Sequence, residues 1–553
     1  DPTTPDPTTP DPTTPDPTTP DPTTPDPTTP DPTTPDPTTP PPSDPGDGSS
    51  QPPPDNPPGD QPSDPSTPPN SDDPLIDPDR LISDGLEPLQ PDSETDNSSL
   101  ALIINPNLTD PELQPDIRLD PVNDLEGEIT NDYSRHFGTE FGIPPIGVIE
   151  AQNQLQQVQT ATGIQPALIY ALFLPALTEA QTTDSSTSDI PSMAPDFAYH
   201  GPQGTDELEL MLVTTNGDPI RIHFPDVTRD KVERMVRQFQ SDITSPVHRN
   251  GDRYLSSART LYQWLVAPLE ADLAAAGIEN LTFILDSGLR SLPIAALHDG
   301  EQFLIERYSV GIMPSLSLTD TRYVDSRDLG ILAMGASEFD HQAPLPAVPL
   351  ELQIIAEEVW QNGAYFLNDQ FTMDNLKFQR QQRPYGIVHL ATHGEFQAGS
   401  PENSYLQLGD RQLRLNELRE LGLHNPPVEL LVLSACRTAL GDEDAELGFA
   451  GLALQAGVKS VMASLWYVSD AGALGLTTEF YRQLRQTPIK AEALRQAQLA
   501  MIRGEVAVEG NMLRNARGAT IFLPENSNTG GTFSVDMSHP FYWSAFTMIG
   551  NPW

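Results

Sequence analysis

Two polar residues interrupt apolar runs where chemistry would need them. His393 falls near the end of "YGIVHLATHGEF", and Cys436, the only cysteine in 553 residues, follows "PVELLVLSA" 43 positions later. A thiol becomes a nucleophile near neutral pH when a base stands beside it or its pKa is lowered, and an imidazole can supply that base. Both runs are short, β-branched and leucine-rich, and both give way to small and polar residues, as a central strand of a parallel sheet does at its loop. Sites in open α/β sheets lie outside the carboxyl ends of the strands, so this spacing predicts nucleophile and base at one edge. Small neighbours in "SACRT" would let a substrate backbone approach, and Arg437 sits directly beside the thiol. Gly394 follows the base without a side chain to obstruct its N–H, so the N–H groups of Gly394 and Cys436 are candidates for an oxyanion hole. A lone cysteine is most often a small core hydrophobe and a glycine most often a turn residue. Strand-end position, not residue type, is what favours chemistry here.

Two further sets of residues invite a functional reading. His389 and His393 stand four apart, a zinc-ligand spacing on a helix, but on a strand that separation is about 13 Å. No Glu follows the first histidine, so His389 is expected to be a core residue with satisfied nitrogens, and no metal is expected. Asp442, Glu443, Asp444 and Glu446 follow the cysteine closely. In so acidic a chain such a run is ordinarily a solvated loop, and the functional alternative is a pocket entrance favouring Lys or Arg at the residue before the cleaved bond.

The elements that must position these residues alternate along the chain. "ALIYALFL" (167–174) reads as a strand, and "LELMLVTT" and "PIRIHFP" as a hairpin about Asn216-Gly217, after a polar insert. "DKVERMVRQF", "ARTLYQWLVAPLEADLAAAG" and "LELQIIAEEVW" carry apolar residues at helical spacing. "LTFILD", "LGILAMG", "GIVHLATHG", "ELLVLSAC" and "VKSVMASLW" are nearly continuous apolar runs, hence strands covered on both faces. Helices "LGFAGLALQAG", "LGLTTEFYRQLRQ" and "AEALRQAQLAMI" complete the pattern. The predicted class is α/β, a doubly wound and mostly parallel sheet, preceded by a smaller α+β portion.

Composition bounds the rest. The formal charge is −49 and there are 60 prolines, neither spread evenly. Residues 1–40 are eight copies of Asp-Pro-Thr-Thr-Pro, and the first basic residue is Arg80. Such a stretch buries too little apolar surface to offset its entropy, so residues 1–75 are expected to be an acidic, extended, disordered arm. Residues 76–130 read as a linker with short apolar clusters, 131–250 as the α+β portion, and 251–553 as the domain with the candidate site. No run of about 18 apolar residues would span a membrane, and no basic stripe would neutralise nucleic-acid phosphates. The first residue is Asp rather than Met, which suggests a processed product or part of a longer protein. A single cysteine suits a reducing compartment and a cysteine-avoiding secreted protein alike, and leaves localisation open.

Ala435, Cys436 and Arg437 match the caspase nucleophile signature Gln-Ala-Cys-(Arg/Gln/Gly)-Gly, with Ser434 and Thr438 departing from it. The closer resemblance is to the CHAT domain, a caspase-like module found with tetratricopeptide repeats or on other bacterial architectures. It is carried, in the family's order, by 285–297 "LDSGLRSLPIAAL", 388–396 "VHLATHGEF", 430–442 "LLVLSACRTALGD", 448–470 "GFAGLALQAGVKSVMASLWYVSD" and 539–550 "HPFYWSAFTMIG". This resemblance implies a caspase-hemoglobinase fold and, where active, peptide-bond cleavage by a His-Cys dyad through an acyl-enzyme. His393 matches the base, Cys436 the nucleophile and Gly394 the oxyanion position. It implies a protein or peptide substrate and no metal or organic cofactor. Related metacaspases place an acid two residues before the cysteine, where this chain has Ser434. No 34-residue helical repeat is visible upstream. The Pro-rich arm is similar to linkers that attach such modules to large bacterial surface proteins, an architectural analogy only. The competing expectation is a catalytically silent CHAT scaffold serving as an interaction module.

Overall fold

A computed structural model describes residues 120–175, 202–248, 251–438, 440–524 and 535–553. The arm expected over 1–75, the linker up to residue 119 and most of the polar insert lie outside the described residues.

The strands are β1 (Pro166–Leu174), β2 (Glu207–Val213), β3 (Ile220–Thr228), β4 (Asn280–Leu285), β5 (Ser309–Ile312), β6 (Ile331–Gly335), β7 (Gly363–Leu367), β8 (Ile387–Phe396), β9 (Tyr405–Gln407), β10 (Gln412–Arg414), β11 (Leu430–Thr438), β12 (Ser460–Ser464), β13 (Ala507–Glu509), β14 (Met512–Arg514), β15 (Thr520–Phe522) and β16 (Phe546–Gly550). β13, β14 and β15 form a small antiparallel sheet. The other thirteen form one sheet, with β7, β6, β8, β11, β12, β16, β5, β4, β1, β2 and β3 side by side. β9 and β10 extend it from the second half of β8. β7, β6, β8, β11 and β12 are mutually parallel. β16 then runs antiparallel to β12 but parallel to β5, so β5, β4 and β1 run opposite to the first group.

Side-chain alternation explains why the central strands read as unbroken apolar runs. On β1, Ala167, Ile169, Ala171 and Phe173 join the largest apolar cluster, while Leu168, Tyr170 and Leu172 join a second one. Helices Pro121–Phe137 and Val148–Thr162 supply Ile129, Tyr133, Leu155 and Val158 to that second cluster. A strand buried on both faces needs apolar residues at every position.

Helix Pro121–Phe137 begins inside the stretch read as linker, and its start is specified locally. Asp120 Oδ1 accepts from Val122 N (3.0 Å) and Asn123 N (3.2 Å), with Pro121 in the first turn. Its Oδ2 accepts from Val148 N (2.8 Å), so one carboxylate caps two helices. Glu126 ties the first helix to the core. Fully buried, it accepts from Tyr170 Oη (2.9 Å), Ser315 Oγ (2.6 Å), Leu316 N (3.0 Å) and Ser317 N (2.9 Å).

Three expected elements differ in detail. The hairpin connection runs from Thr214 to Pro219 rather than over two residues, with only Gly217 at positive φ (87°). Pro219 has no N–H to give a ladder, which delays re-pairing to Ile220. The helix expected through 258–277 breaks at Pro268 into Leu255–Leu265 and Glu270–Ala275. The helix "LGFAGLALQAG" divides into Glu443–Ala450 and Leu452–Ala456 at Gly451, where an added Cβ would lie 2.6 Å from Phe137 Cζ.

Candidate active site

β8 and β11 are adjacent and parallel, and both pass from apolar to polar sequence at the same end. Leu430 to Leu433 pair with Ile387 to Leu390, after which the register slips: Ala435 lies opposite His393 and Cys436 opposite Gly394. Two residues of β8, Ala391 and Thr392, thus face one of β11, Ser434. Such a bulge re-aims side chains locally and is common beside active sites. β8 also changes its other neighbour here, pairing with β6 as far as Ala391 and with β9 from Gly394. Cys436 is placed by its backbone alone, since its side chain lies outside the described residues. Gly394 has Cys436 on one side and Leu406 of β9 on the other.

His393 is held by the loop after β6. Its Nε2 is 2.8 Å from the Ala343 carbonyl oxygen, and its ring lies 4.7 Å from that of Phe339. The loop after β12 closes the other side, with the Tyr467 ring 6.4 Å away. Tyr467 Oη donates to Asp470 Oδ1 at 3.0 Å. Burial pushes the Asp470 carboxyl above its ordinary value, opposed by the bonds from Tyr467 and the Ala347 N–H and by the nearby His393. Ala343, Phe339, Tyr467 and Asp470 were not singled out in the sequence, although "SLWYVSD" contains two of them. The signal was topological: loops after parallel neighbours β6 and β12 open at the same edge as those after β8 and β11.

His389 is fully buried, with Nδ1 3.2 Å from Tyr481 Oη and Nε2 3.3 Å from Glu351 Oε1. It is a core histidine, as expected, but only Nδ1 is hydrogen-bonded; Nε2 faces the carboxylate at ion-pair distance without hydrogen-bond geometry. Among the described residues no group of three or more His, Cys, Asp or Glu is placed to hold a metal, and no helix is long and apolar enough to cross a membrane.

The four acids after Cys436 have different surroundings. Asp442 caps helix Glu443–Ala450, accepting from Ala445 N at 3.0 Å. Glu446 is buried and accepts from Ser291 Oγ (2.5 Å) and Gly288 N (3.1 Å); burial raises its pKa. Glu443 and Asp444 line a cavity of about 440 Å³ with Asp132, Asp286, Arg229 and Arg290. Neither His393 nor Gly394 lines that cavity.

A mostly parallel sheet with helices on both faces, and with a histidine and a cysteine on adjacent strand ends, is an α/β fold of the caspase-like kind. The CHAT domain family model matches residues 255–551, more than half of the chain, and the chain belongs to that family. Two solved structures of the Saccharomyces cerevisiae separase–securin complex are similar to it, at 9% identity with TM-score 0.39 and 10% identity with TM-score 0.41. Each match covers 77% of this chain and 33% of the other. No curated protein matches.

Proposed function

We propose that the chain is a cysteine endopeptidase in which His393 and Cys436 form the dyad. The observation that carries this reading is the contact of His393 Nε2 with the Ala343 carbonyl, at the strand end where β8 runs beside the Cys436 segment of β11. A carbonyl oxygen only accepts, so the hydrogen resides on Nε2 and the basic lone pair on Nδ1. Nδ1 takes the thiol proton as sulfur attacks the peptide carbonyl carbon, and the N–H groups of Cys436 and Gly394 stabilise the oxyanion. The imidazolium returns the proton to the leaving amine as the C–N bond breaks. Water, deprotonated at the same nitrogen, then cleaves the thioester, releases the carboxylic product and restores the thiol. These steps draw on no metal or organic cofactor. The substrate class is a protein or peptide.

Cys436→Ala and His393→Ala should each lower proteolysis by several orders of magnitude, and the double variant should lose little more, because the two act as one unit. Cleavage by the Cys436→Ala protein at the parent rate would remove the thiol mechanism. A thiol probe that labels Cys436 equally with and without His393, in a protein cleaving no peptide, would instead favour the silent scaffold.

A further inference from the structure

Beneath the strand seam lies a buried polar group that the reaction does not use. Glu351, in helix Val348–Gln353, is 3% exposed. Its Oε1 accepts from Thr477 Oγ1 (2.8 Å) and stands 3.3 Å from His389 Nε2; its Oε2 accepts from Ser434 Oγ at 3.4 Å. One carboxylate therefore reaches three elements that build the site. His389 is four residues before His393 on β8, Ser434 is two before Cys436 on β11, and Thr477 belongs to helix Asp470–Leu484, which begins with Asp470. His389 Nε2 stands within ion-pair distance of Glu351 without making a hydrogen bond to it, and its Nδ1 is 3.2 Å from the buried Tyr481 hydroxyl.

Energetics make this arrangement unusual for a core. Among the described residues, no Lys or Arg lies within ion-pair distance of Glu351, and His389 is its only candidate cation. Burying a carboxylate with such partners is costly, and apolar residues of similar volume commonly do as well or better. The adjoining cluster is apolar: Ala333, Leu345, Val348, Leu352 and Ala391. What the polar set supplies and leucine would not is direction. Ser434 is the β11 residue at the register slip that sets Cys436 opposite Gly394.

We propose that Glu351 is a positioning residue: through Ser434, His389 and Thr477 it fixes the seam between β8 and β11 at the bulge, and so fixes how Cys436 is presented to His393. The proposal rests on the dyad reading above and deepens it. Misplacing a reacting atom by about 1 Å costs on the order of 100-fold in rate, which sets the scale of the expected effect.

The test uses the full chain in three forms: parent, Glu351→Gln, and the apolar replacement Glu351→Leu/His389→Leu/Tyr481→Phe. Two quantities are measured on each: iodoacetamide alkylation of Cys436 from pH 5 to 9, and urea unfolding. Peptide turnover is followed in parallel. Both variants should show alkylation slowed about 10-fold to 100-fold, a displaced pH profile and kcat lowered with KM nearly unchanged. The apolar variant should unfold at the same or higher urea concentration. Alkylation rates and pH profiles matching the parent in the folded variants would overturn the proposal, as would reactivity that falls only in proportion to lost stability. If alkylation responds as expected while no form cleaves peptide, the peptidase reading fails and the positioning role stands. If peptide is cleaved equally by all three, the reverse holds.

Discussion

Glu446 joins helix Glu443–Ala450, which follows the nucleophile strand, to the turn after β4, and its removal should be costly. Its carboxylate serves the Ser291 hydroxyl and the Gly288 N–H, and Ser291 is itself fully buried. Glu446→Ala deprives both donors of their acceptor. A buried donor left unmatched costs about 1–3 kcal/mol, so the pair, with the void left behind, should cost about 3–5 kcal/mol. Glu446→Gln keeps the shape and a carbonyl acceptor and should lose about 1 kcal/mol. Urea unfolding at pH 7 measures both. The two variants should also differ from the parent in pH dependence. Burial raises the pKa of Glu446, so the folded chain binds its proton more tightly than the unfolded chain. Its contribution to stability therefore falls as pH rises from the ordinary carboxyl value through the folded one, and this slope should vanish in Glu446→Gln. A loss below about 1 kcal/mol for Glu446→Ala, or an equal loss for the two variants, would refute the assignment.

The same linkage applies to the other carboxyls that burial raises, Glu128, Asp132, Glu443 and Asp470, which favour the folded chain as pH falls; His136, His298 and His424, lowered by burial, oppose them as pH falls through the ordinary imidazole value. Measured against a Glu128→Gln/Glu443→Gln variant, which keeps those histidines, the parent's thermal midpoint should gain as pH is lowered from 8 towards 5, and a difference that shrinks would contradict the reasoning; further acidification should cost both proteins stability as Asp299 and Asp325, whose pKa values are lowered, lose charge. Asp442 and Glu446 are bonded within the protein and Asp444 stands 3.5 Å from His136 Nδ1, so we propose that the two acids on the cavity wall, Glu443 and the half-exposed Asp444, are the least committed to internal partners and the ones available to a basic substrate side chain. Glu443→Gln/Asp444→Asn should then reduce turnover of Arg and Lys peptides selectively, and an equal effect on neutral peptides would assign both acids to solvent. Deleting residues 1–75 should leave the thermal midpoint and intrinsic turnover nearly unchanged, because a Pro- and Asp-rich repeat has few apolar residues to pack; calorimetry showing a fall of more than a few degrees would show that it packs on the rest.

The site strands were legible because burial on both faces forces an unbroken apolar run, and β4, β6, β8, β11 and β12 all show one. Shorter strands escaped. β5 has four residues and β9 and β10 three each, too few for any period to register, and β7 is only half-buried along its length. His393 and Cys436 could be picked out because each ends such a run. Ala343 could not, since its contribution is a backbone carbonyl, and any residue offers one. Glu351 was hidden differently: on helical spacing a Glu among apolar residues reads as solvent-facing, and only tertiary packing shows that it turns inward. The slip in register at Ser434 likewise depends on how two strands pair, which neither strand's sequence contains.

β16 has a consequence for how the molecule is made. The last strand in sequence does not lie at an edge; it is inserted between β12 and β5, where the direction of the sheet reverses. Every other strand of the large sheet leaves the ribosome before it, so during synthesis the two groups of strands wait with facing edges unpaired. Pairing across hundreds of intervening residues is slow, and open edges invite other chains in the meantime. A nascent chain stalled short of residue 546 therefore holds His393, Cys436 and all the residues around them, yet lacks the strand that joins the two groups of the sheet. Emergence of residues 546–550 is thus itself a checkpoint on assembly of the full sheet.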